Sequence, residues 1–293
     1  MIVKDINLEQ LDLYIDKILK KDICSKKNVD CCPICSSKSY IKYGSYKEIQ
    51  RYKCKICNKT FSKSTNSMIS YSKKSPRQWF EFIELMMEKK SLRFCAKKLG
   101  INLGTAFYWR HKILHSLSIG ITPDKLNGDI HIGKYIIKEN FKGNRNITSS
   151  IRRNIWIIGA KGQEEYLLAM PIFKDYWDLK AFKEKVYCKI SKSSYIIPYG
   201  DRYLFNIAKK HNKKLYRKEH VIEERIKYFM LNLSEWFDSF YGIATKYLKK
   251  YLSWFALFNS DKLFNYIDIL YFLNCKDGFI RIMDIRNVQD DII

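Results

Sequence analysis

CPICSSKSYIKYGSYKEIQRYKCKIC, running from Cys32 to Cys57, carries two Cys-x-x-Cys pairs separated by eighteen residues. Each pair lets two thiolates approach one ion from the same side. Two such turns at the tips of neighbouring hairpins complete the four-sulfur tetrahedral shell that structural zinc favours. Cys32, Cys35, Cys54 and Cys57 are therefore the expected ligands of one structural Zn2+ in a zinc ribbon. Disulfides or four buried thiols are the bland alternative, and Cys31 adds an ambiguity, because it replaces Cys32 only by spoiling the spacing. Pro33 and Asn58 are expected to supply the special backbone of the two turns. The segments Tyr40-Ile41-Lys42-Tyr43 and Gln50-Arg51-Tyr52-Lys53 alternate as short strands do.

Around this stretch the composition is that of a globular chain, long enough at 293 residues and apolar enough at 46% to build two or three cores. Nine cysteines without an apolar leader point to a reducing cytosol, where ribbon thiols stay open to metal and Cys95, Cys188 and Cys275 are packing residues. No run approaches the roughly 18 apolar residues of a membrane span, so no membrane partner is expected. The net charge of +24 points to a polyanion, above all nucleic acid. Its distribution locates the contact: up to Leu117 there are 24 basic and 10 acidic residues, which places +14 of the charge in that part. Between Lys38 and Lys74 only Glu48 is acidic, and Tyr40, Tyr43, Tyr46, Tyr52 and Phe61 are interleaved with the bases. A merely soluble basic surface is the plainer alternative.

Residues 1–30 carry apolar Leu8, Leu11, Ile15 and Leu19 at helical spacing, followed by a polar linker. The ribbon is expected over 31–62. After an extended connection, Ser75-Pro76 gives an N-cap with proline at the first helical position, and the helix to Glu88 should bury Trp79, Phe80, Ile83 and Met87. Ala96, Gly100 and Ile101 sit at the offsets of a helix-turn-helix: a small residue where helices touch, a glycine for the left-handed turn, an apolar pin. From an Asn102 cap the next helix should bury Ala106, Trp109, Ile113 and Leu117. That leaves Thr105, Tyr108, Lys112 and His115 facing solvent, with Arg110 on the flank, as a recognition helix would present them to a major groove. An ordinary three-helix bundle is the plainer reading of 73–120.

Thr122-Pro123-Asp124 marks a boundary. Beyond it the patterns give strands at 129–137, 154–160 and 165–172, a helix at 176–188, a strand at 195–198, a helix at 203–212, and helical segments from 222 to 258. Three strands, a helix, a strand and more helix is the order of a ribonuclease-H-like α/β domain over 125–259, with a C-terminal extension at 260–293. The expected fold class is thus multidomain α+β: zinc ribbon and helix-turn-helix bundle, then a ribonuclease-H-like α/β domain.

Several blocks together resemble bacterial insertion-sequence transposases that join a zinc ribbon, a helix-turn-helix and an ISXO-type DDE domain. They are Cys32-Pro33-x-Cys35, Arg51 to Ser62, Ser91-Leu92-Arg93, Thr105 to Leu114, Phe141 to Arg145, and Gly242 to Leu248 through Trp254-Phe255. The resemblance implies double-stranded DNA as partner, a homo-oligomer, and a cytoplasmic, nucleoid-associated protein. It places Arg51, Lys53, Lys55 and Arg93 near phosphates and Thr105, Tyr108, Arg110 and Lys112 on the recognition helix.

The same resemblance implies a two-metal site, with acids on the first and fourth strands and an oxygen ligand on a late helix, where Mg2+ activates water and then a 3′ hydroxyl. Counting from the matching blocks, those positions hold Gly133, Tyr199 and Lys227, with Lys134 after the first. Asp129, Asp201 and Glu235 are the nearest possible substitutes. Asp129 lies four strand residues from Gly133, about 13 Å, too far for ions about 4 Å apart. Three readings stay open: a transposase-derived DNA-binding protein without nuclease chemistry, an active transposase with displaced acids and Mg2+, and a structural or oligomerisation scaffold.

Overall fold

The computed structural model describes residues 29–46, 49–62, 65–143, 151–162, 167–214, 225–240, 242–259 and 278–288. The expected helix in 1–30 and most of the extension at 260–293 lie outside the described residues. The chain divides into two compact units, Met1–Ser116 with Phe264–Ile285, and Leu117–Leu263 with Arg286–Ile293. It is a mixed α/β protein with two sheets.

In the first unit, strands β1 (Tyr40–Tyr46), β2 (Ile49–Cys54) and β3 (Thr60–Ser62) form an antiparallel sheet in the order β1-β2-β3. Pairing of Tyr40 with Cys54 and of Tyr52 with Phe61 puts three rings on one face. Tyr52 stacks on Phe61 at 5.6 Å, and Tyr40 meets both edge-on at 5.4 and 5.7 Å. Among the described residues, the buried core beneath this sheet is Cys32, Cys54 and Phe61, with Val29, Tyr40, Tyr52 and Cys57 packed against it. Helix α1 (Pro76–Met87) follows, with Ser75 Oγ accepting from Gln78 N. It buries Trp79, Phe80, Phe82, Ile83, Leu85 and Met86, so the inward stripe is wider than expected and uses Met86 where the pattern suggested Met87.

Helix α2 (Leu92–Lys98) ends in a Schellman closure: Ile101 N donates to Ala96 O, Gly100 N to Lys97 O, and Gly100 takes φ +58°. Helix α3 (Leu103–Ile121) starts where Asn102 Oδ1 accepts from Gly104 N at 2.7 Å. Trp109 of α3 stacks on Trp79 of α1 at 4.0 Å and meets Phe82 edge-on. Ala106, Trp109, Ile113 and Leu117 are buried as the periodicity requires.

In the second unit, β4 (Asp129–Lys138), β5 (Asn154–Lys161), β6 (Leu167–Lys174) and β7 (Tyr195–Pro198) form a sheet in the order β6-β5-β4-β7. The first three are antiparallel, and β7 returns parallel beside β4. Between β6 and β7 lies α4 (Leu179–Lys185), shorter than the pattern suggested because Asp178 caps it from inside the expected helix. Helix α5 (Arg202–His211) follows β7. Ile130, Ile132, Ile158, Phe182, Ile196 and Leu204 join the core that α4 and α5 cover. Helices α6 (Arg225–Asp238) and α7 (Leu248–Phe258) come next. Tyr135 of β4 stacks on Phe237 of α6, so α6 lies over the opposite face of the sheet. A short α8 (Ile282–Arg286) ends the described chain.

Candidate metal centre and nucleic-acid interface

The four ribbon sulfurs all lie within 4.8 Å of one another, with Cys32 to Cys57 at 3.7 Å and Cys35 to Cys54 at 3.5 Å. A tetrahedral ion with Zn–S bonds of about 2.3 Å requires S···S edges of about 3.8 Å, whereas a disulfide requires about 2.05 Å. The cluster therefore fits structural zinc and does not fit two disulfides. Cys31 stays outside it.

The two knuckles are built alike. Cys32 N donates to Ser37 O at 2.7 Å, and Cys54 N to Lys59 O at 3.0 Å. The residue just after each second cysteine is left-handed, Ser36 at φ +58° and Asn58 at φ +57°. The expectation for Asn58 holds. The one for Pro33 is corrected, because the proline ring cannot take positive φ and the turn comes at Ser36 instead.

Hydrogen bonds from the backbone N–H of Cys57, with a further one from Ile56, hold the Cys54 thiol down at about 6. At Cys35 the Ser37 backbone lowers the pKa, but burial and the neighbouring sulfurs outweigh it and push the thiol up to about 12. The causes differ, but four sulfurs this close cannot all become anions without a cation among them.

Basic side chains stand around this centre. Lys38, Lys42, Lys55 and Lys59 are exposed. Arg51 is half-buried and donates to Thr60 Oγ1 at 2.9 Å, and Lys53 lies 5.5 Å over the Tyr43 ring. On α2, Arg93, Lys97 and Lys98 are exposed, as is Phe94. On α3, Thr105, Tyr108, Lys112 and His115 are half-buried, and desolvation lowers the Lys112 pKa.

Arg110 requires a correction. It is 3% exposed, and its Nη2 donates to Lys90 O at 2.7 Å, closing the end of α1. An arginine so held is not on a solvent flank. His111 and Leu114 are buried too, so the middle of α3 is enclosed on more than one side and its accessible residues gather toward its first turn.

In the second unit, Tyr199 N donates to Ile132 O at 2.8 Å, which carries the parallel pairing of Ile132 with Pro198 one step further. Gly133 and Tyr199 therefore lie side by side on the face that α6 covers, and neither offers a carboxylate. Lys227 falls in α6, and Glu223 and Glu224 lie outside the described residues.

Asp129 pairs with Tyr195, at the far end of the β4–β7 ladder from Gly133. Glu235 is exposed on α6, whose inward residues are Leu233 and Trp236.

Asp201 is turned to the opposite face of the sheet. Gly200, at φ +67°, redirects the chain, and the Asp201 Oδ1 then caps α5 by accepting from Tyr203 N and Leu204 N. Its Oδ2 is held by Lys134 Nζ at 2.5 Å, with the carboxylate only 3% exposed. Lys134 also lies 4.3 Å over the Trp156 ring. As a substitute for a carboxylate at Tyr199, Asp201 is therefore on the wrong face. Among the described residues, the four cysteines are the one group of three or more metal-type ligands in reach of a common ion.

Two sequence blocks a hundred residues apart meet in the same unit. Asn140 N donates to Thr245 Oγ1 at 2.8 Å, and Thr245 N donates back to Asn140 O at 2.9 Å. Gly242 is required there: at φ +97°, a Cβ would come within 2.6 Å of Asn140 Nδ2. Nothing in either block alone announced the contact.

A stretch of 144 residues, 48% of the chain, is 28% identical to an uncharacterized protein in transposable element ISH50 of Halobacterium salinarum, covering 47% of that protein. The chain thus spans about half the length of this relative. No protein-family model matches the chain, and no solved structure does. No helix among the described residues is long and apolar enough to cross a membrane.

Proposed function

We propose that this protein is a transposase-derived DNA-binding protein, in which a zinc ribbon and a helix-turn-helix grip duplex DNA while the α/β unit no longer holds catalytic metals. The observation that carries the reading is the joint placement of a four-sulfur centre and an exposed basic surface on one small sheet. A partial relative from a transposable element supports the origin. Three antiparallel strands with a fourth returning parallel beside the first support the ribonuclease-H-like reading of the second unit, and in this reading α2, the Gly100 turn and α3 serve as the helix-turn-helix. Lysines and arginines of the ribbon, with Arg93, contact phosphates, and Thr105 and Tyr108 lie nearest the bases. Arg110 positions α1 against α3 instead of reading DNA.

Loss of catalysis in this reading follows from charge. Gly133 and Tyr199 supply no carboxylate, and the nearest acid, Asp201, is bound to an ammonium on the other face. A divalent ion would find no oxygen cage there to lower the pKa of an attacking water.

Binding is tested by titrating labelled duplex DNA at several salt concentrations. Each neutralised phosphate releases counterions, so affinity should fall steeply with salt, and the Arg51→Ala/Lys53→Ala variant should bind about tenfold or more weakly with a shallower slope. Salt-independent binding, or an unaltered variant, would refute the assignment. Metal-dependent nicking of bound DNA that disappears in Asp129→Ala or Asp201→Ala would refute the loss of catalysis.

A further inference from the structure

The second unit contains an open cleft of about 470 Å³ on the α5 side of the sheet, lined by Lys134, Trp156, Tyr176, Trp177, Arg202 and Tyr203 together with three further residues. Two of those three are acids. Asp201 is buried and held by Lys134 and by the start of α5, whereas Asp175 is half-buried, its Oδ1 accepting from Asn154 N at 2.8 Å. Apart from Asp175 and Gly200, what remains toward solvent is aromatic and cationic.

Trp177 and Tyr203 stack almost parallel, 5.1 Å apart at 3°. The Arg202 guanidinium lies 4.9 Å over Tyr203 and donates to its hydroxyl at 3.1 Å. Tyr176 is 83% exposed. Trp156 contributes its ring to the cleft wall, while its buried Nε1 has no hydrogen-bond partner among the described residues.

An exposed tyrosine ring beside an aromatic wall and an exposed guanidinium together match a nucleotide: a base with two π faces, attached to a phosphate. Paired DNA hides its base faces in the stack, so only an unpaired nucleotide fits. We propose that this cleft binds one nucleotide of an unpaired DNA strand, with the base on Tyr176 and the Trp156 wall and the phosphate on Arg202. The identity of the polymer rests on the DNA-binding reading above; the cleft itself does not involve the ribbon or α3.

The test uses the full chain carrying Arg51→Ala/Lys53→Ala, which weakens the duplex-binding unit. Its probe is hexathymidylate with 2-aminopurine at one position. Binding should quench the 2-aminopurine as it stacks. Tyr176→Ala and Arg202→Glu should each weaken binding about fivefold or more, and Tyr176→Ala should also abolish the quench. Both side chains are exposed, and melting curves confirm that the variants fold. Duplex binding by the otherwise wild-type chain should be unchanged in both.

Undiminished hexathymidylate affinity in the two variants, or absence of binding, overturns the cleft assignment and leaves the duplex reading intact. Failure of the wild-type chain to bind duplex overturns that reading alone, because the hexathymidylate titration still decides the cleft.

Discussion

The two halves of this molecule solve stability in opposite ways. Among its described residues the cysteine-bearing sheet buries Cys32, Cys54 and Phe61 and keeps most of its charges exposed. The α/β unit buries a fifteen-residue cluster around β4, β5, β6 and β7 and turns charges inward as pairs, Lys134 with Asp201 and Lys174 with Glu139 at 3.0 Å. The ribbon's core is too small to hold a fold by apolar burial, so its stability depends on something bound. The α/β unit carries its own. One region is therefore conditional on a ligand, and the other on the integrity of its internal ion pairs.

Removing metal should separate the two most sharply. A chelator, or Cys54→Ser, should abolish hydrogen-exchange protection across residues 32–62, while strands β4 to β7 keep theirs. Metal analysis should give about one zinc per chain before treatment. Equal loss of protection in both regions, or no zinc at any stage, would break the comparison. Acid should act similarly, because protons compete with the ion for the four thiolates; zinc retention measured against pH should decline as pH falls.

Breaking the internal pair is the counterpart in the α/β unit. Lys134→Met leaves the Asp201 carboxylate buried with only its two helix-cap hydrogen bonds, at a cost of about 3 kcal/mol in urea unfolding. Lys134→Met/Asp201→Asn should recover most of that loss, because asparagine still caps α5 and no lone charge remains. Zinc content should not change in either variant. If the single substitution is neutral, the pair is not what fixes this corner of the sheet.

Sequence reasoning reached most of this architecture where periodicity carries the signal. The strands β4, β5 and β7 and helix α5 came within a residue or so, because β-branched alternation and a capping aspartate are local. The cysteine cluster was legible for the same reason: the spacing of the ligands is itself the geometry. What escaped depends on residues distant in the chain or on one dihedral. Arg110 lies on an exposed arc of an isolated helix, and partners distant in sequence, the Lys90 carbonyl just past α1 among them, draw it inside. Asp201 looked like a neighbour of Tyr199 until Gly200 turned the backbone. Lys134 read as a substituted catalytic position, although a lysine inside the run Ile132 to Ile137 was already a sign of a buried partner.

Glycines give the finest test of the contrast, because a left-handed glycine in each unit, Gly100 and Gly242, is there for a different reason. Gly100 closes α2 at φ +58°, and nothing lies within 4 Å of where its Cβ would be. Gly100→Ala should then cost only the backbone preference, about 1 kcal/mol. Gly242 sits at φ +97° with Asn140 Nδ2 at 2.6 Å from the same point. The Asn140 backbone is tied to Thr245, and its side-chain Oδ1 accepts from Lys142 N at 2.9 Å, so the side chain cannot swing aside without giving up that hydrogen bond. Gly242→Ala should therefore cost about 1 kcal/mol more than Gly100→Ala. Thermal melting of both variants in zinc-loaded protein measures the difference. Equal destabilisation would mean that Asn140 yields freely, and that the junction between the two sequence blocks is looser than its hydrogen bonds imply.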